Sequence, residues 1–259
     1  MYKTSTFDTY HPPIPTATMS SSISAQSECG QLLEKAIGRF QERNPKSLAH
    51  HEEALKSMPG GNTRTLLYTA PYPVVMVRGE GSRLYDADGN QYHDFVGELT
   101  AAIYGHSHPT IKEAMTNVLS EIGLNLGATN IYETRYAALL CSRFDLPCLR
   151  FANSGTEANL HCLGAARQFT GKRKVVVFKG GYHGSVLAFG AGIAPNNVDQ
   201  QDWIVSQYND VEALKKIFDE NNDIAAILVE AMQGSGGGIP GTKEFLRAVR
   251  EQSRKASTP

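Results

Sequence analysis

Residues 151–164 read FANSGTEANLHCLG, and the handover inside this stretch decides how the chain is laid out. A short apolar piece ends at Ala152. The small residues Asn153, Ser154, Gly155 and Thr156 follow, and a run of helical character begins behind them. Two physical readings fit such a junction. The first N–H groups of a helix have no intrahelical acceptor and sit at the positive end of its dipole, so glycine and hydroxyl residues there suit an anion such as phosphate. Ser and Thr are equally the residues that cap a helix N-terminus with no ligand at all. The stretch alone leaves both open.

Working outward, Leu149–Ala152 reads as a strand and Gly155–Thr170 as a helix closed by Gly171. KVVVF (Lys174–Phe178) and Trp203–Gln207 read as strands, Asp210 caps a helix to about Glu220, IAAILVE (Ile224–Glu230) is a further strand, and Thr242 caps a last helix. Strands that are continuous apolar runs, alternating with helices, predict a mostly parallel sheet covered on both faces. Ligands of such sheets lie beyond the carboxyl ends of the strands. Here those ends are Ser154–Thr156, Lys179–His183, Tyr208–Asn209 and Glu230–Gly234. A phosphate-type turn, an aromatic–histidine pair and an acid beside a glycine-rich loop therefore converge, which strengthens the anion reading. A P-loop is excluded, because no G-K-[ST] follows the glycines.

Composition narrows the class. The chain has 259 residues, 41% hydrophobic and 20% charged, with a net charge of −1. This suits a soluble protein with room for a large domain and gives no basic surface for nucleic acid or anionic membranes. No apolar run approaches the roughly 20 residues of a membrane helix. The four cysteines (Cys29, Cys141, Cys148, Cys162) form no C-x-x-C pair and read as reduced, partly buried thiols of a reducing, cytoplasmic setting. Residues 1–29 are rich in Ser, Thr and Pro, lack a signal-peptide core and contain no arginine, and so read as a flexible tail. The pattern from Cys29 to Ser57 is helical, MPGGNTR (Met58–Arg64) breaks it, and Tyr72–Phe95 reads as small antiparallel strands with tight turns. Further helices are expected at about Pro109–Ile122 and Thr134–Phe144.

Six segments in order, MPGGNTR, LYDADGNQYHDF, YGHSHP, FANSGTEAN, VVFKGGYHGSVLAFG and ILVEAMQGSGG, give the chain a resemblance to the class III (fold type I) pyridoxal-phosphate aminotransferases. Within them it is most similar to the branch of glutamate-1-semialdehyde aminomutase and β-phenylalanine aminotransferase. The resemblance runs from about Glu34 to Val249. It implies an α/β fold-type-I large domain over residues 101–259, incomplete at its C-terminus, preceded by a helix and small β segment over 30–100. It implies pyridoxal 5′-phosphate as cofactor, an amino acid and a 2-oxo acid as substrates, and a homodimer for a full-length form.

Residue by residue, the resemblance assigns Gly155 and Thr156, with Ser154 beside them, to the cofactor phosphate. Tyr182 would stack on the pyridine ring, with His183 packing under it and Glu230 near it. Arg64 would clamp the substrate carboxylate. Proline usually follows this glutamate in the family, and Ala231 stands here instead. His106 and His108 fall in a family loop, and no metal is expected. Two further parts of the family's chemistry, a lysine that carries the cofactor as a Schiff base and an aspartate in a D-E-V strand that pairs with the pyridine nitrogen, have no match: none of the 12 lysines, Lys179 included, lies in that context. Two expectations follow from this. One is a transaminase, or a 1,2-aminomutase, seen as a C-terminally truncated product. The other is an inactive remnant that binds a phosphate ligand or a partner.

Overall fold

The structure is a computed structural model that describes residues 27–64, 67–124 and 126–258. The tail expected over residues 1–29 lies, up to residue 26, outside the described residues. Contacts divide the chain into two compact units, Met1–Gly127 and Ala128–Pro259.

The first unit opens with α1 (Glu28–Arg43), which Ser27 caps by accepting from the Gly30 N–H, and α2 (Pro45–Leu55). The single helical run expected from Cys29 to Ser57 is thus two helices, because Pro45 lacks the N–H a continuing helix needs and sits instead in the first turn of α2. Strands β1 (Met76–Glu80), β2 (Arg83–Asp86) and β3 (Gln91–His93) form the expected antiparallel meander, followed by α3 (Pro109–Glu121).

The β2–β3 turn is built on Asp86, only 2% exposed. Its carboxylate accepts from the N–H groups of Asp88 (3.0 Å) and Asn90 (2.7 Å), the Asn90 amide (2.8 Å) and the Tyr92 hydroxyl (2.7 Å). Asp88 in turn accepts from the N–H groups of Lys46 and Ser47 (2.7 and 3.1 Å) and from the Ser47 hydroxyl (3.0 Å). Asn44, at the N-cap position of α2, makes no side-chain cap bond, so Asp88 caps that helix from the hairpin.

The second unit is the α/β part. It begins with α4 (Ile131–Phe144) and α5 (Gly155–Thr170), then β4 (Lys174–Phe178), the two-residue strands β5 (Gly181–Tyr182) and β6 (Ala188–Phe189), and β7 (Trp203–Ser206). It continues with α6 (Val211–Glu220), β8 (Ile224–Ile227), β9 (Met232–Gln233), β10 (Ile239–Pro240) and α7 (Lys243–Lys255). Strands β7, β4 and β8 form a parallel sheet with β4 in the middle. Successive residues of β4 serve opposite faces, as the period of a strand requires. Val175 and Val177 pack with Leu163 and Ala166 of α5, Leu187, Phe189 and Trp203. Val176 and Phe178 pack with Leu214 of α6 and with Phe245, Ala248 and Val249 of α7. The expected caps hold: Asp210 accepts from Ala213 N, Thr242 from Phe245 N, and Gly171 ends α5 in the left-handed region (φ 66°).

Three further expectations are corrected. Leu149–Ala152 is not a strand: it has no ladder partner among the described residues, and Phe151 instead stacks on Tyr136 of α4 (5.2 Å, 3° between planes). The run Ile224–Glu230 is strand only to Ile227, with one further bond from Leu228 N to Val176 O. Beyond it no further ladder bond to β8 is found among the described residues, because β4 ends at Phe178 and the chain bends at Gly180 (φ 86°). The four cysteines are free, but Cys29, Cys148 and Cys162 are exposed and only Cys141 is partly buried. Cys162 sits just off the Leu163–Ala166 stripe that α5 buries. No described helix is long and apolar enough to cross a membrane.

Hydrogen bonding to Asp86 outweighs the cost of its burial and holds its carboxyl below the ordinary range. Its contribution to stability is therefore present above an unfolded-state value of about 3.9 and is lost as pH falls through the lower folded-state value. Asp86→Ala is expected to destabilise the first unit by about 2–3 kcal/mol at pH 7. In denaturant titrations the gap to the parent chain should narrow only below pH 4.

Candidate active site

The first turn of α5 is capped in the ordinary way and still has capacity to spare. Ser154 Oγ accepts from Glu157 N (3.1 Å). The Glu157 carboxylate reaches back to Asn153, accepting from its N–H (2.8 Å) and its amide (3.1 Å), and those bonds hold it below the ordinary glutamate range. Among the described residues, the N–H groups of Gly155 and Thr156 donate to no protein acceptor. Gly155 is exposed, and a Cβ added there would meet nothing within 4 Å, so the space around its Cα is open. Thr156 Oγ1 accepts from Ser185 N (3.1 Å), which leaves its own proton to be donated. The cap and the anion readings thus hold together.

A second segment lies against that turn. Gly184 (φ 138°) approaches so closely that a Cβ there would sit 2.3 Å from Thr156 Oγ1. One turn further along α5, the Asn159 amide donates to the His183 carbonyl (2.7 Å). The segment is the β5–β6 ribbon, in which Tyr182 faces Ala188. Leu187 and Phe189, on either side of Ala188, are fully buried against α5, so by the strand period Tyr182 and Ala188 lie on the outer face. Tyr182 is exposed there, whereas His183 is 8% exposed. Burial pushes the His183 imidazole down, and nearby Glu230 only partly offsets this.

Glu230 ties the carboxyl ends of the strands together. One carboxylate oxygen accepts from Tyr182 N (3.0 Å) and the other from Gly234 N (3.1 Å), while its carbonyl accepts from the Tyr208 hydroxyl (2.8 Å). The buried Gln233 amide donates to Lys179 O (2.9 Å). Ala231, in the place of the family's proline, accepts from Gly241 N (2.8 Å) and so helps close the β9–β10 ribbon.

The structure therefore brings Ser154, Gly155, Thr156, Tyr182, His183 and Glu230 together in the second unit. Arg64 belongs to the first unit, where its guanidinium pairs with Glu98. His106 pairs with Asp94 (2.7 Å). Reading the sequence did not single out Asn159, Gly184 or Gln233. The signal for Asn159 was its place four residues beyond Gly155, on the same side of a helix.

Spare N–H donors at a helix start, an available hydroxyl, open space and an exposed aromatic residue held beside a neutral histidine fit a phosphate ester that carries a flat ring. The aminotransferase class-III profile matches residues 68–258, and the chain belongs to that family, whose members depend on pyridoxal phosphate. The chain is 48% identical over 225 residues to the beta-phenylalanine transaminase of Variovorax paradoxus, covering 86% of this chain and 51% of that protein. It is 36% identical over 238 residues to a glutamate-1-semialdehyde 2,1-aminomutase of Heliobacterium modesticaldum, covering 85% and 53%. The crystal structure of a beta-phenylalanine aminotransferase from Variovorax paradoxus superposes with a TM-score of 0.84 at 46% identity, covering 88% of this chain and 53% of that one. The chain spans about half the length of the curated relatives it matches.

Gly184→Ala is expected to force the ribbon off α5, because neither the Thr156 backbone nor a side chain at positive φ can yield cheaply. Affinity for inorganic phosphate, measured by calorimetry, should fall at least about tenfold, a loss of about 1.4 kcal/mol. Gly190→Ala, where nothing lies within 4 Å of an added Cβ, should leave it unchanged.

Proposed function

We propose that this chain carries the cofactor-binding part of a pyridoxal-phosphate-dependent aminotransferase that moves an amino group from an amino or β-amino acid to a 2-oxo acid. The observation that carries the reading is the pair of unspent N–H groups at Gly155 and Thr156 under the Tyr182 ribbon. The similarity to a beta-phenylalanine transaminase supports a β-amino acid as donor. The similarity to an aminomutase supports a 1,2-amino shift as the second reading.

In this reading the N–H groups of Gly155 and Thr156 and the Thr156 hydroxyl bind the phosphate, with the Ser154 hydroxyl adjacent, at the positive end of α5. Tyr182 offers an aromatic face to the electron-poor ring. His183 stays neutral and packs beside it, contributing no competing charge. Glu230 keeps the Tyr182 backbone in place through a charge-assisted bond. Arg64 recognises a carboxylate, the task it already performs on Glu98. The bound cofactor supplies an aldehyde and an electron-withdrawing ring that stabilises charge on the substrate carbon. We assign the Schiff base to no lysine of this chain. A cytoplasmic role in specialised metabolism and a homodimeric full-length form belong to the same reading.

The test uses pyridoxamine 5′-phosphate, whose amine cannot condense with lysines. It should bind the chain in competition with inorganic phosphate, and Thr156→Val and Tyr182→Ala should each weaken it about tenfold, or 1.4 kcal/mol. Treatment with pyridoxal phosphate and borohydride should leave no single stoichiometric lysine adduct on mass spectrometry. No phosphate-competitive binding, or amino transfer from β-phenylalanine that vanishes on Lys179→Ala, would overturn the assignment.

A further inference from the structure

The ribbon that carries Tyr182 is only two residues wide on each strand, and an isolated two-stranded hairpin is marginal in water. Its edges explain how it persists. Tyr182 and Ala188 face each other without sharing a backbone bond: Tyr182 N turns outward to Glu230, and both backbone groups of Ala188 turn outward on the opposite edge. Such outward groups ordinarily require a third strand. Here one side chain takes that place. Asn197, 5% exposed, accepts from Ala188 N through Oδ1 (3.1 Å) and donates to Ala188 O through Nδ2 (2.9 Å).

The segment that holds Asn197 is itself seated on the core. Asn196 donates to Ser185 O (2.8 Å), and Val198 N donates to Val186 O (3.2 Å). The Trp203 indole donates to Val198 O (2.6 Å), and Val198 packs against the cluster around Val175 and Val177. Ser185, on the same turn, is the donor to Thr156.

We propose that Asn197 is a positioning residue for the site. Acting through Ala188, it fixes where Tyr182 stands relative to the Gly155–Thr156 turn, and so governs affinity for the ring while leaving affinity for the phosphate alone. The inference rests on the cofactor reading given above. Without Asn197, two partly buried backbone groups of Ala188 lose their partners, and the ribbon gains a way to shift outward toward water.

Two probes are titrated into the purified 259-residue chain, pyridoxamine 5′-phosphate and inorganic phosphate. Asn197→Ala is expected to weaken the first about tenfold, or 1.4 kcal/mol, and to leave the second within twofold. In a Tyr182→Ala background the same substitution should add nothing, since its effect passes through that ring. Local hydrogen exchange should rise over residues 181–189 and stay unchanged over Lys174–Phe178. Should Asn197→Ala not fold, Asn197→Asp, which keeps the bond from Ala188 N and loses the donor to its carbonyl, is read by the same criteria. Unchanged affinity for the ring probe, an equal loss for both probes, or a full additional loss in the Tyr182→Ala background overturns the positioning role and leaves the site assignment standing. A parent chain that binds neither probe overturns the site assignment and this inference with it.

Discussion

From Val175 to Phe178, strand β4 is shielded from water on both faces. Its residues Val175, Val176, Val177 and Phe178 are at most 1% exposed, two on each side. An apolar strand of this kind must be covered twice, and the second unit is the arrangement that does so, with α5 on one face and α6 and α7 on the other. Everything chemical follows from where that strand ends. Past Phe178 the chain leaves the core, Lys179 N takes the last parallel bond to Ser206, and Gly180 bends the backbone into the ribbon that carries Tyr182. The helix on the same face brings its first turn to the same level.

At that level, charge is arranged with economy. The helix start uses one hydroxyl oxygen to satisfy Glu157 N, and the Glu157 carboxylate is engaged by Asn153 rather than by the N–H groups of Gly155 and Thr156. Glu230, the other acid nearby, has both carboxylate oxygens committed to backbone donors. Two negative side chains thus stand close to a proposed anion site while their charge is absorbed by the scaffold. His183, pushed toward its neutral form by burial, adds no positive charge either. What the proposed site offers an anion is the backbone itself.

Much of this was legible in the sequence because it depends on local rules. Ser154, Asp210 and Thr242 are caps by residue type and position, Gly171 is a helix stop, and Lys174–Phe178 could only be a doubly buried strand. The two strand misreadings share a cause, namely that they concern partners. Leu149–Ala152 has strand-like residues and no ladder to join among the described residues, and Ile224–Glu230 stops early because its neighbour bends away at Gly180. Pro45 was a local signal for a helix break within an otherwise helical run. Asn197, in PNNVD, carries no pattern at all: its two bonds to Ala188 depend on a chain path that only the folded unit defines.

The cap on α2 has a bearing on how the first unit assembles. A helix of this length is marginal by itself, since its first turn fixes several dihedrals for one hydrogen bond. The acceptor that relieves its exposed donors, Asp88, arrives from the β2–β3 turn, 41 residues from Ser47 along the chain. Closing so long a loop costs entropy before any bond repays it. The cap of α2 therefore depends on the hairpin, with Asp86 shaping the turn and Asp88 presenting the cap. A chain elongating from its N-terminus gains a fully capped α2 only once the residues through Asn90 have emerged and folded back onto it.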